Sequence, residues 1–193
     1  MKYGKKILAV VLLLLLGTGM LTAAAGSRTG DAQVRTERDL QLQSVTMEEL
    51  EEIREREKGG MTGLLNIAGW RYGEAGNVKE PLSGKKAGAG TVYVTGPVSL
   101  AFPAKVLSGS YESVMGKKDC VLTRELSWSL FGSVDTAGCQ VDFGGKTYTV
   151  TAVIDKEEMV MFLTADEGAV QKAAFSFSGR ERIDSKMKAL GFE

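Results

Sequence analysis

Cys120 and Cys139 are the two thiols of the chain, 19 residues apart. Both precede or occupy predicted strands beside one predicted helix, so neighbouring strands can bring them together. An oxidising compartment allows a disulfide between them. It would close a loop of about 20 residues and contribute about 3 kcal/mol on the chain-entropy model. The alternative is two thiols packed as small hydrophobes. The sequence contains no His. That removes Ser-His-Asp and Cys-His pairs, HExxH zinc sites and imidazole switches. Two Cys cannot make a four-cysteine zinc site. Carboxylate pairs and Ser-Lys dyads remain, but no spacing selects one.

The other candidates read as ordinary surface or core. Glu48, Glu49, Glu51, Glu52, Glu55 and Glu57 crowd one helix and fit a solvated face. Asp155, Glu157 and Glu158 sit in a break between strands, without the spacing of an EF-hand. Lys85-Lys86 and Lys117-Lys118 are short basic patches of loop character. Gly144-Gly145 and Gly88-Ala89-Gly90 lack the strand-to-helix setting and the Lys-Ser/Thr of a phosphate loop. Trp70, Tyr72, Trp128 and Phe131 can line a groove or pack a core. The expectation is a chain that is not an enzyme and uses no cofactor and no metal.

Behind these residues stands a sequence of 193 residues with 24 basic and 24 acidic side chains. Zero net charge argues against a nucleic-acid partner, because phosphate binding needs a basic excess. At the start, Lys2, Lys5 and Lys6 precede an apolar run from Ile7 to Ala25. A bilayer core takes roughly 20 helical residues, so the run is long enough to span as an anchor. It also fits a cleavable signal peptide, with Ala23-Ala24-Ala25 as the cleavage site. Either reading exports the rest, and the lysines keep an anchored amino terminus in the cytoplasm. Residues 26–60 read as a polar linker followed by a stalk helix, and residues 61–193 as the exported domain.

The helix is Thr46 to Lys58. Thr46 caps it and Glu49 completes a capping box. Met47, Leu50 and Ile53 form a narrow apolar stripe, suited to packing on the domain or to meeting a partner near the membrane. Gly59-Gly60 ends it. Strands are expected near Ile67 to Trp70, at Thr91 to Thr95, Cys120 to Leu122, Cys139 to Phe143, Lys146 to Ile154, Met159 to Ala165 and Ala173 to Ser178. Leu82 to Gly90 reads as a flexible loop. Gly144-Gly145 is a two-residue hairpin turn. Along its return strand Tyr148, Val150, Ala152 and Ile154 alternate as one buried face. Thr123 can cap a helix through Phe131, with Gly132 at its end. A last helix spans Arg180 to Leu190. The fold class is α+β: a mostly antiparallel sheet with interspersed helices, preceded by one transmembrane or signal helix.

The ordered series Cys120-Val121, Glu125-Leu126, Leu130-Phe131-Gly132-Ser133, Asp135, Gly138, Val141, Gly145, Tyr148 and Val150 carries a resemblance. With the Thr46 helix, the strand at Ile67 and Phe102-Pro103, it resembles the extracytoplasmic, periplasmic-core-like domain of MacB-type (FtsX-like) ABC transporter permeases of Gram-positive bacteria. The family's usual Gly-Gln pair is Gly138-Cys139 here. The resemblance implies a non-catalytic domain at the cell membrane, single-pass and outside the cell. It implies an ABC ATPase and permease subunits as partners and, as a further expectation, a homodimer. Export or envelope signalling would be driven by the ATPase. The alternative is a secreted or anchored binding module of the same fold without a transporter.

Overall fold

The structure is a computed structural model, and it describes residues 33–57, 60, 62–111, 115–165, 167–179 and 182–192. The apolar run and the first part of the linker lie outside the described residues. Among the described residues no helix is long and apolar enough to cross a membrane.

The tightest local element is the predicted hairpin. Strands β7 (Gln140–Phe143) and β8 (Lys146–Ile154) pair antiparallel with Phe143 opposite Lys146. Gly144 and Gly145 turn the chain at φ 56° and 76°, a pair of left-handed residues that glycine adopts without strain. The remaining strands are β1 (Gln33–Asp39), β2 (Leu64–Tyr72), β3 (Gly76–Lys79), β4 (Lys86–Thr95), β5 (Val106–Gly109), β6 (Asp119–Thr123), β9 (Val160–Thr164) and β10 (Lys172–Ser178). The helices are α1 (Met47–Arg56), α2 (Val98–Ala101), α3 (Arg124–Phe131) and α4 (Ile183–Ala189).

All the strands join one sheet, and part of it closes on itself. β4 pairs with β3 through its first half, with β2 through its second half, and with β9 along the other edge. Following the pairings β4–β3–β7–β8–β6–β9 returns to β4, a six-stranded barrel-like ring. Beyond β2, β10 and β1 extend the sheet as a flap, and β5 pairs with the end of β8. Most pairings are antiparallel, as expected from the hairpin patterns. The exceptions are β4–β9 and β6–β8, which are parallel and have no local turn to announce them.

Three buried clusters follow from this topology. One draws on all six ring strands and α3, including Val78, Ala89, Leu122, Val141, Val150 and Met161. It is the barrel interior. A second lies on the other face of β4, β6 and β9, under α2, around Trp70, Val94, Ile154 and Phe162. The third packs α1 and α4 on the flap through Met47, Leu50, Phe175, Phe177 and Met187.

Several sequence expectations are corrected here. Tyr148, Val150, Ala152 and Ile154 do not share a face. Cys120 pairs with Val150 but Val121 pairs with Ala152, so Thr151 is an extra residue in β8. This β-bulge turns Ala152 and Ile154 into the α2 cluster, while Val150 and Val153 face the barrel. The segment Leu82 to Gly90 is a loop only up to Lys85. From Lys86 it is strand β4, with Ala87 and Ala89 inside the barrel. The stretch read as linker is strand β1 from Gln33, paired along its whole length with β10. The Thr46 helix keeps its predicted capping box, and its stripe packs on its own domain, with Met47 and Leu50 fully buried.

Gly109 shows how tightly the bulge is built. It has φ +72°, and a Cβ there would stand 2.0 Å from Thr151 O. Gly132 has a similar φ of +69°, but nothing lies within 4 Å of where its Cβ would stand. Gly109→Ala is therefore expected to lower the melting temperature far more than Gly132→Ala. The latter should cost only the roughly 1–2 kcal/mol of a left-handed alanine. Equal losses in paired thermal melts would show that the bulge is not under this constraint.

Candidate functional site

The segment that carries the family-like series folds as a plug. β6 runs directly into α3, with Thr123 at the N-cap. The Thr123 side chain does not cap. Its hydroxyl donates to Val160 O at 3.2 Å and accepts from Val160 N at 3.1 Å, tying β6 to β9. Leu126 and Leu130 enter the barrel, 0% and 1% exposed. Gly132 ends α3 in the left-handed conformation, and its N–H donates to Trp128 O.

The polar side of the plug is satisfied internally. Ser127 is fully buried; its hydroxyl donates to Ser133 O at 2.8 Å and lies 2.9 Å from Thr136 Oγ1. Ser108 on β5 donates to Asp135 Oδ1 at 3.0 Å. Gly138 N–H donates to Val150 O at 2.8 Å. Leu130, Gly132, Ser133, Asp135 and Gly138 thus hold one helix in one barrel. The buried hydroxyls of Ser127 and Ser108 are hydrogen-bonded parts of this structure.

The two cysteines flank one strand. Cys120 pairs with Val150 across one edge of β8. On the other edge Val150 N–H donates to Cys139 O at 2.8 Å. Two strand spacings, about 9.6 Å, separate such positions. A disulfide needs Cα atoms within roughly 7 Å. Both thiols are free in the structure, Cys120 buried and Cys139 half-buried. Burial, with Asp119 adding to it, holds the Cys120 thiol well above its ordinary range, which keeps it protonated and inert.

The charged candidates are also placed. Arg124 pairs with Asp155, with Glu157 at 3.5 Å and with Glu125 at 3.2 Å. Its hydrogen bond with Glu125, then the charges of Asp155 and Glu157, raise the guanidinium pKa. The break between β8 and β9 is therefore pinned to the start of α3. Among the described residues no group of three or more acidic or cysteine side chains could hold a metal ion. On α1, Glu49 closes the capping box and Glu51 pairs with Arg54. Trp70 is buried 5.1 Å from the Phe102 ring, Tyr72 and Phe131 are half-buried, and Trp128 is 53% exposed on the outer side of α3.

Sequence reasoning missed Glu80. It organises the loop between β3 and β4: its carboxylate accepts from Leu82 N at 2.8 Å and Ser83 N at 2.5 Å. The Glu80 backbone is bonded in the same loop to Lys85 O and Gly84 N. A Glu two and three residues before amides in a Pro-Leu-Ser-Gly stretch was the available signal. The Ser83 hydrogen bonds, the Leu82 amide and nearby Lys85 lower the Glu80 pKa below its ordinary 4.5.

Two outcomes follow. Thiol titration of the unfolded, non-reduced protein should find two free thiols per chain, and in the native state Cys139 should react before Cys120. A mass two units low would mean that the strand between them had moved. A depressed carboxylate stabilises the fold at neutral pH and loses that contribution as pH falls through its folded pKa. Glu80→Gln should therefore melt below wild type at pH 7, and the gap should close as pH drops below 4.5. A gap that stays constant with pH would remove Glu80 from the loop's stability.

Comparison with known proteins fits this geometry. The profile described as MacB-like periplasmic core domain matches residues 7–184. Among solved structures, the extracellular domain of the noncanonic ABC-type transporter YknZ from Gram-positive bacteria superposes with a TM-score of 0.56 at 13% identity, covering 80% of this chain and 90% of that one. The periplasmic region of MacB from Actinobacillus actinomycetemcomitans gives 0.57 at 12% identity, covering 72% of this chain and 69% of that one. At such identities the superpositions speak for the fold alone. No curated protein sequence matches the chain. The family match over most of the length, with the fold and the ordered series around α3, makes this chain a member of the MacB-like periplasmic core domain family, the extracytoplasmic domain of ABC transporter permeases.

Proposed function

We propose that this chain is a non-catalytic extracytoplasmic domain of, or accessory to, a MacB-like ABC transporter permease. It couples a cytoplasmic ATPase to substrate export or envelope signalling. The observation that carries the reading is the extent of the family match. It begins at residue 7, inside the apolar run, and ends at residue 184, in α4. Apolar segment and folded domain belong to one family pattern, which supports a membrane-anchored domain with its amino terminus in the cytoplasm.

The connection between the two is short. β1 starts eight residues after Ala25. The Arg35 guanidinium on β1 donates to Leu100 O at 2.8 Å and Ala101 O at 3.1 Å, the last carbonyls of α2. The whole of β1 is laddered to β10. A displacement of the anchor would reach a seven-residue strand laddered to β10 along one edge and tied to α2 through Arg35. Motion would pass as a shift of the flap against the barrel rather than be lost in a loop.

The test is a pull-down of the tagged full chain from its native membrane in mild detergent, with mass spectrometry of bait and partners. The expected result is a bait that retains residues 1–25 and brings down an ABC ATPase or a multispan permease subunit. A bait cleaved near Ala25, soluble and alone, would withdraw the transport role in favour of a secreted binding module with the same fold.

A further inference from the structure

The ring of strands has one weak seam. β3 and β7 are joined by a single pairing, Lys79 with Asp142. Beside this single pairing lies an open depression of about 210 Å³, lined by Asn77, Lys79, Lys86, Asp142, Phe143, Gly144 and Gly145. The floor is fixed. A Cβ on Gly76 would stand 2.7 Å from Phe143 Cε2, so the phenyl ring packs on bare backbone there. The rim is open. Around Gly144 and Gly145 nothing lies within 4 Å of where a side chain would start.

The charges on this rim are unusual for a sheet. Lys79 and Lys86 are direct partners across β3–β4. Like charges placed opposite each other in an antiparallel pair are destabilising. Among the described residues neither lysine has an ion pair. Asp142 stands beside them, but its carboxylate accepts the Thr147 hydroxyl at 2.7 Å and neutralises neither ammonium within salt-bridge distance. Glu80, next to Lys79 in the chain, is committed to its own loop amides. Two lysines without an ion pair therefore line one small hollow, with Asn77 and glycine backbone at its edge and the Asp142 carboxylate beside them.

The geometry points to an oxyanion site at this seam, with Lys79 and Lys86 as its two cations and a phosphate group as its ligand. Lysine binds phosphate as a flexible point charge and needs no planar fork. A phosphate between the two lysines would replace their mutual repulsion with two attractions, set against repulsion from Asp142, while Asn77 and the turn backbone offer N–H donors. The hollow admits a phosphate carried on a lipid headgroup or on a soluble molecule. The inference does not rest on the transporter reading, since it uses only the seam and its charges.

The full chain in phosphatidylcholine nanodiscs is titrated calorimetrically with inorganic phosphate at low ionic strength. Saturable binding at one site per chain is expected, weakening as added salt screens the charges. The double variant Lys79→Gln/Lys86→Gln should bind at least tenfold more weakly, while Lys105→Gln/Lys188→Gln should bind as wild type. Removing the like-charge pair should leave the melting temperature unchanged or higher, so weakened binding would not report unfolding. A second arm uses short-chain, soluble phosphatidylglycerol. Binding at least tenfold tighter than inorganic phosphate, through the same lysines, assigns the site to a lipid headgroup. Comparable affinity assigns it to soluble phosphate. Heat that does not saturate, or a double variant that binds as wild type does, overturns the proposal.

Discussion

A six-stranded ring encloses a space that must be filled, and here one helix of eight residues fills much of it. Protein interiors are packed to crystal-like density, so such a ring without a plug would collapse or stay incomplete. The strands around α3 are chosen for it. β4 contributes Ala87 and Ala89, which leave room, and β8 contributes Val150 and Val153, which close on Leu126 and Leu130. The helix must also hide its own polar atoms, and Ser127 does so against Ser133 and Thr136. Register, bulge and turn geometry all serve this one packing problem.

β4 is the strand through which the rest is organised. Ten residues long, it pairs with three neighbours and so belongs to both the ring and the flap. Along its edge β2 and β3 behave as one strand broken near Gly73, whose N–H still donates to Thr91 O. Gly73 must stay bare because the Tyr93 ring lies against it, 2.5 Å from any added Cβ. The flap beyond β2 then carries α1 and α4 on one side and leans on α2 on the other. Strand pairing thus joins β1 to the barrel through β10, β2 and β4.

The family-like series gains a physical meaning from this arrangement. Apart from Val121, which faces the α2 cluster, its apolar members pack the barrel; its Ser and Asp satisfy the polar side of the plug, and its three glycines supply left-handed turns at φ 69°, 89° and 76°. A series held together by packing identifies a fold. Any ligand of the domain must be recognised elsewhere on its surface, by side chains that the fold does not consume.

Local rules in the sequence were enough for the elements whose causes are local. The Thr46–Glu49 capping box, the two-glycine hairpin turn and the stop at Gly132 depend on neighbouring residues, and each stands where its pattern placed it. The α+β class and the prevalence of antiparallel pairing were legible for the same reason, as hairpins join strands adjacent in sequence. What was not legible depends on partners far along the chain. Lys-Ala-Gly-Ala-Gly looks like a loop until β3 and β9 bond its edges. Gln33–Asp39 looks like a solvated linker until β10 pairs with it. Thr151 reads as one more alternating residue until the parallel partner β6 forces the bulge. The two cysteines look ready to meet until β8 is seen running between them. The sequence alone therefore determined the short-range turns, caps and periodicities. Only the tertiary structure decided the parallel pairings, the closure of the ring and what lies between distant residues, because each of these is set by strand neighbours tens of residues away.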